Sequence, residues 1–388
     1  MSEVSAASVP AANPTVAHAS TRASTDRLRD DLRVALPPYV AARVIVALAW
    51  LLSSGVAARF YASRPSQLAE GLVAWDGTWY RDIADIGYSG VPREGLRFFP
   101  LYPVLGKAFS YPFGGSVPLA LILIANLAAL AVAVVVRRLV LADRHDVAEA
   151  DRATWAITLF PSAFVLVWAY AESLMLLGAV GALASARRRR WWWAAACGLL
   201  AGATRPVGLA VVAAVAIELA RTFREQRWSE RCIGAVAVAA PLAGAGAYLL
   251  WVSRTFGGWS IPFEVQTGLR GEANPLSRLI AGLGDVFGVQ RFGDGLHIPF
   301  AIAFIVLLVL TFRYLPCSYG AYATVVLLAA LSASNLNSIE RYALNAFPIV
   351  VTLALVLKTP RAERVGLAVC GCGMLALASL AWLGVYVP

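Results

Sequence analysis

Apolar residues run along this chain in blocks of up to about twenty, each closed by arginines, a proline-containing turn or a polar loop. Roughly 20 helical residues at ~1.5 Å each cover the hydrocarbon thickness of a bilayer, so the blocks predict membrane-crossing helices. They fall at 38–58, 116–136, 153–169, 173–186, 233–253, 298–313, 319–334, 343–357 and 365–386. The stretch Trp191–Ala220 is different, because both of its ends are basic. Two half-spans turning at Thr204-Arg205-Pro206 keep both ends on one side, since proline breaks a helix and pushes the preceding residue out of the helical region. A single kinked helix there is the alternative, and it would invert everything downstream. The first reading gives an all-α polytopic bundle of about eleven transmembrane helices.

Two polar segments interrupt the pattern, at 59–115 and 254–297. The first is far longer than a connector between packed helices needs to be, and loops of that length are usually functional. Within it Trp75, Trp79, Ile83 and Ile86 recur at three- and four-residue spacing, which predicts an amphipathic helix on the membrane surface. The run Phe98-Phe99-Pro100-Leu101-Tyr102-Pro103 is expected to turn the chain back into the membrane.

Charge then orients the bundle. Arg137-Arg138, Arg187–Arg190, Arg221–Arg231 and Lys358–Arg361 all close apolar blocks at the same end, and such clusters mark the cytoplasmic side. Residues 1–37, rich in Ala, Ser, Thr and Pro and without an early apolar stretch, are expected to be a disordered cytoplasmic tail rather than a signal peptide. Residues 38–388 form one transmembrane catalytic domain, with 59–115 and 254–297 as outer loops. Composition agrees: the chain is 59% hydrophobic and 14% charged, well away from a soluble domain. The +10 net charge sits in topology-setting clusters, so no nucleic-acid partner is expected. Five cysteines and three scattered histidines (His18, His145, His297) give no disulfide framework and no metal site; Cys370-Gly371-Cys372 reads as small packing residues.

Asp76, Asp82, Asp85, Glu172, Arg205, Glu340 and Arg341 all fall at the outer ends of their spans on this topology. Ionisable groups beside hydrocarbon are expensive and mark sites by default, although each alone also fits an interface residue or a mutual ion pair. Glycosyl transfer from a lipid-phosphate sugar fits this set. One carboxylate takes the acceptor's proton, a guanidinium meets the charge gathering on the leaving phosphate, and aromatic rings hold the sugar face. The donor is already activated, so neither cofactor nor metal is expected.

The residues also resemble a known family. Trp75-Asp76-Gly77-Thr78-Trp79-Tyr80, Ala84-Asp85-Ile86-Gly87-Tyr88 and Phe98–Pro103 look like the first-loop motif of the PIG-V family of GPI mannosyltransferases, within the GT-C superfamily. The likeness continues through Phe160-Pro161-Ser162-Ala163-Phe164, Tyr170-Ala171-Glu172-Ser173-Leu174, Ala203-Thr204-Arg205 and Glu340-Arg341-Tyr342, in the family's order. The Ala/Arg-rich chain and short second outer loop look like a bacterial, actinobacterial-type version, and bacteria make no GPI anchors. The resemblance implies a polyprenyl-phosphate-mannose donor, inversion to an α-mannoside, and an active site on the extracytoplasmic face of the cell membrane. By its place in the first outer loop Asp76 matches the superfamily's catalytic carboxylate. Arg205 and Arg341 are the expected donor-phosphate ligands. Trp75, Trp79, Tyr80, Asp82, Asp85, Tyr88, Glu94, Tyr170, Glu172 and Glu340 are the expected substrate-binding residues. The acceptor stays open among a lipid-linked glycan, a lipoglycan and a protein. Other expectations are another polyprenyl-phosphate sugar, such as arabinose or glucose, or a lipid-linked sugar flippase or transporter, whose polar residues would line a midplane path.

Overall fold

The computed structural model describes residues 14–285 and 294–388, and every regular element among them is helical. Six helices are long and apolar enough to cross a membrane: Asp26–Phe60, Val117–Arg144, Pro206–Glu225, Trp228–Phe256, His297–Tyr314 and Pro360–Trp382. A seventh span is available if Ile339–Asn345 and Phe347–Val356, bent by 82°, count as one broken helix. The chain is thus an all-α, multi-pass membrane protein. Every expected block contains a helix, but the block 153–169 is α-helical only through Leu159 and not every block is a full span.

Four of the expected passes are short. Val147–Leu159, Glu172–Arg187, Trp191–Thr204 and Cys317–Leu331 hold 13, 16, 14 and 15 residues. At ~1.5 Å per residue these cover only about 20–24 Å, less than the ~30 Å hydrocarbon core. The physical reason is clearest at Phe160–Ala171, where Pro161 ends one helix and the chain stays irregular until Glu172 starts the next. Non-helical backbone at such depth is tolerated when protein buries it and satisfies its polar groups. Phe164, Trp168 and Tyr170 are fully buried here. The Val167 carbonyl accepts from Asn126 Nδ2 at 2.9 Å, and Ser162 Oγ donates to the Glu340 carbonyl at 2.7 Å.

The turn expected at Arg205 is present. Arg205 is extended (φ −156°, ψ 149°) between the helix Trp191–Thr204 and the 3-10 turn Pro206–Ala210. The chain reverses so tightly that a Cβ on Gly208 would lie 2.1 Å from the Ala201 carbonyl oxygen. Arg189, just before the hairpin, ion-pairs with Glu225 just after it, so both basic ends lie together. That excludes a single kinked helix.

The amino-terminal segment differs from expectation. A helix runs from Pro14 through Phe60, so residues 14–37 are helical where a disordered tail is expected; residues 1–13 lie outside the described residues. Asp31 anchors it: the carboxylate is buried and bridges Arg137 Nη1 at 2.6 Å and Arg138 Nε at 2.5 Å. In the long loop before Val117, the helix Asp76–Ile86 forms as the spacing predicts, but its buried face is Gly77, Tyr80, Ile83 and Ala84, and Ile86 stays exposed. Phe98, Tyr102, Val117, Leu121, Ala169 and Leu174 complete the apolar cluster beneath it. The second loop holds the helices Ile261–Arg270 and Pro275–Asp285; its residues 286–293 lie outside the described residues.

Candidate active site

The surface helix starts from an unusual backbone. Trp75 has φ +60° and ψ −120°, a region where a bulky side chain is a genuine outlier, and strain of that kind concentrates at functional sites. Two tryptophans hold the conformation. Trp75 Nε1 donates to the Ala381 carbonyl and Trp382 Nε1 to the Gly71 carbonyl, both at 2.9 Å. The Ala169 amide donates to the Leu72 carbonyl at 2.8 Å, joining this turn to the irregular Phe160–Ala171 segment. Gly77 allows the approach, since a Cβ there would sit 3.2 Å from the Ala169 carbonyl oxygen. Asp76 is therefore fixed in the first turn of its helix, where the positive end of the macrodipole favours a carboxylate. Its amide donates to Tyr170 Oη at 3.3 Å.

Four side chains from four chain segments meet at this point. Arg341 Nη1 lies 2.5 Å from Asp76 Oδ2 and 3.4 Å from Glu172 Oε1, and Arg205 Nη1 contacts the same Glu172 oxygen. Glu172 is fully buried, while the Asp76 side chain keeps 17% of its exposure. Burial alone would raise the Asp76 pKa, but the Arg341, Arg97 and Arg205 guanidiniums outweigh it and hold the carboxyl below the usual aspartate value. Asp76 is an anion at neutral pH. Its Oδ1 has no protein partner among the described residues.

That free edge faces a cavity of about 570 Å³, lined by Asp76, Trp75, Trp79, Tyr80, Arg205 and Arg341. Trp79 stacks on Phe98 with ring centroids 5.7 Å apart, giving one wall a flat aromatic surface. Sequence reasoning singles out neither Arg97 nor Arg270, yet both line the cavity. Arg97 lies over the Phe98 ring, 4.7 Å from its centroid. Arg270 donates to Tyr342 Oη at 3.0 Å and to the Asn337 carbonyl at 2.7 Å. Arg97 directly precedes Phe98–Pro103 in the sequence and was legible from that neighbour; Arg270 had no local signal.

Several expected residues do not reach the cavity. Asp82 pairs with Arg81 at 2.8 Å and Asp85 with Lys107 at 3.8 Å, both on the wet side of the helix. Glu94 is exposed and outside the lining. Tyr88 donates to the Phe98 carbonyl at 2.7 Å and packs against Tyr248 and Trp251. Glu340 is buried away from the lining, 2.8 Å from His297 Nδ1 and accepting from Tyr386 Oη at 3.0 Å. Tyr170 and Glu172 stand behind Asp76 rather than on the cavity wall. Among the described residues no three His, Cys, Asp or Glu side chains gather as metal ligands.

No family model and no curated protein matches this chain. Among solved structures it is similar in shape to the archaeal oligosaccharyltransferase AglB from Archaeoglobus fulgidus, determined in complex with an inhibitory peptide and a dolichol-phosphate. The TM-score is 0.44 at 13% identity, over 88% of this chain. This chain spans 56% of the length of that one.

Proposed function

We propose that the protein is a GT-C-type glycosyltransferase that moves mannose from polyprenyl-phosphate-mannose to an extracytoplasmic acceptor, with inversion to an α-mannoside. The observation that carries this reading is Asp76: an ionised carboxylate with one oxygen tied to Arg341 and the other free at a cavity lined by aromatic rings and guanidiniums. An inverting transfer needs one positioned carboxylate to accept the acceptor hydroxyl's proton as its oxygen attacks the anomeric carbon. Trp75 and Trp79 offer apolar faces with polar edges, the surface a sugar ring stacks on. The motif resemblance of the first loop supports mannose over other sugars, and the clustering of the polar groups in one cavity supports a transferase over a flippase.

The test uses purified protein with labelled polyprenyl-phosphate-mannose and a panel of lipid and peptide acceptors. Transfer to at least one acceptor, with release of polyprenyl phosphate that disappears in Asp76→Asn, is the expected result. Full activity of that variant removes Asp76 as the base. Transfer only from another polyprenyl-phosphate sugar keeps the mechanism and replaces the donor. Movement of the donor across a bilayer without cleavage makes the protein a flippase.

A further inference from the structure

Arg97 and Arg270 are the two cavity guanidiniums that hold no carboxylate among the described residues. Arg205 and Arg341 are already engaged, one by Glu172 and the other by Asp76 and Glu172. Glu70 also lines the cavity, but it ion-pairs with Arg81 at 2.8 Å and neutralises neither. Arg97 enters from the 3-10 turn Arg93–Arg97 against Phe98 and Trp79, and its Nε is buried without a hydrogen-bond partner. Arg270 is aimed by a phenol and a backbone carbonyl, neutral oxygens that fix its direction without cancelling its charge. A half-buried guanidinium with no carboxylate in direct contact is costly, and a cavity with two of them is built for an anion. Planar guanidiniums match phosphate oxygens in paired hydrogen bonds.

We propose that Arg97 and Arg270 form the subsite for the phosphate of the departing lipid, while Arg205 and Arg341 position Glu172 and Asp76. This rests on the transfer reading above. In that step the acceptor oxygen forms a bond to the anomeric carbon and its proton passes to Asp76. The bond from the anomeric carbon to the phosphate oxygen breaks, and its electron pair stays on that oxygen. A phosphodiester with one negative charge becomes a phosphomonoester with up to two. Two guanidiniums without carboxylates match the product better than the substrate, so their attraction grows as the bond breaks, which is the condition for accelerating the step.

The experiment measures binding of polyprenyl phosphate, a polyprenyl phosphodiester and neutral polyprenol to the full chain in lipid nanodiscs. Wild type is expected to bind the monoester at least about tenfold more tightly than polyprenol, and more tightly than the diester. Removing one charge-assisted hydrogen bond corresponds to roughly tenfold, so R97Q and R270Q should each weaken monoester binding by that factor and erase its advantage over the diester. R97K and R270K should restore part of it. R205Q and R341Q should keep monoester binding and lower turnover. Arg97 donates no side-chain hydrogen bond among the described residues, so R97Q probes the subsite without loosening the loop that Arg270 ties. Melting temperatures report whether each variant is folded. Wild-type binding by folded R97Q and R270Q overturns the assignment, as does loss confined to R205Q and R341Q. Equal wild-type binding of monoester and polyprenol sinks the lipid-phosphate transfer reading itself, a different result from either.

Discussion

The helix Glu172–Arg187 begins in one ion cluster and ends in another, and the two are built differently. At its far end Arg187 binds Asp143 at 2.7 Å and Glu218 at 3.0 Å. Glu218 also takes Arg221 at 2.8 Å and Ser318 Oγ at 2.6 Å, and Tyr319 Oη donates to Asp143. Two carboxylates meet two guanidiniums, hydroxyls fill the remaining acceptor sites, and none of Asp143, Arg187 or Glu218 lines the cavity around Asp76. At the near end Asp76 and Glu172 face Arg205 and Arg341, with Arg97 and Arg270 beyond them around open space. A balanced, closed cluster can only hold helices together. An unbalanced, open one carries a desolvation cost that a ligand can offset. The same residue types thus form a closed ion cluster at one end of a helix and an open one, the proposed active site, at the other, and it is the charge count with access, not burial alone, that separates them.

Substitutions at the two ends should therefore fail in opposite ways. Asp76→Asn keeps size and polarity but cannot take a proton, and removing a general base costs typically 10²–10⁴ in rate. The expected outcome is that loss of turnover with only a modest fall in melting temperature, since Arg341 loses the Asp76 carboxylate but keeps Glu172, read by product release and thermal unfolding in detergent. Glu218→Ala is its mirror image. It leaves Arg187 with Asp143 alone and Ser318 without its acceptor in a buried site, and losing those bonds costs about 3 kcal/mol. Equilibrium unfolding should show that loss, while the rate per folded molecule stays within about twofold. A Glu218→Ala enzyme that is stable but inactive would break the comparison.

Acidity offers a finer probe of the open end. Asp76 is held below the ordinary aspartate value, so its ionisation stabilises the fold at any pH above the ordinary range and is lost only as pH falls through the depressed folded value. Its activity should follow the same sign: the acid limb of the kcat/KM profile should lie below the usual carboxylate range. Arg341 is the strongest of the groups lowering it, ahead of Arg97 and Arg205. Arg341→Gln should accordingly move the acid limb to higher pH, by more than Arg205→Gln does. Equal limbs in wild type and Arg341→Gln would mean that another group governs the profile.

How legible each end was in the sequence follows from the same physics. Apolar blocks announce helices, so the helical bundle and its two polar loops were readable. Arg205-Pro206 announced its own turn, because the constraint acts between neighbours. The number of full spans was not readable, since Phe160–Ala171 is as apolar as a helix and becomes irregular where Pro161 breaks it and Asn126 and Leu72 satisfy its backbone from elsewhere. In the site, Asp76, Glu172, Arg205 and Arg341 were found because charge at the end of an apolar block is conspicuous. Glu340 was equally conspicuous and points elsewhere, to His297 and Tyr386. Arg270 was invisible because an arginine in a polar loop looks like any solvated cation until the fold brings it beside Tyr342. Position at the end of an apolar block was encoded locally; the direction of each side chain was not.

The smallest effects are expected where sequence and structure disagree, on the surface helix itself. Asp82 and Asp85 share a helix with Asp76 and fall within the motif that resembles the mannosyltransferases, so motif membership alone gives all three the same weight. The geometry separates them by helical phase. Asp76 stands at the first turn, facing the cavity, whereas Asp82 and Asp85 are each 44% exposed and pair with Arg81 and Lys107. Exposed pairs of this kind contribute about 0–1 kcal/mol, because water screens them and both side chains lose freedom in pairing. Asp82→Asn and Asp85→Asn should therefore leave turnover within about twofold and stability within about 1 kcal/mol. Raising the salt concentration should shrink even that difference. The Lys107 pair is the more telling, because at 3.8 Å it is too long for a direct hydrogen bond, so a double-mutant cycle between Asp85 and Lys107 should give a coupling near zero. A tenfold loss of turnover in Asp85→Asn would instead place that carboxylate in the reaction. The aromatic wall at Trp79 would then have to turn toward the outer side of the helix, and the cavity around Arg97 and Arg270 would no longer define the site.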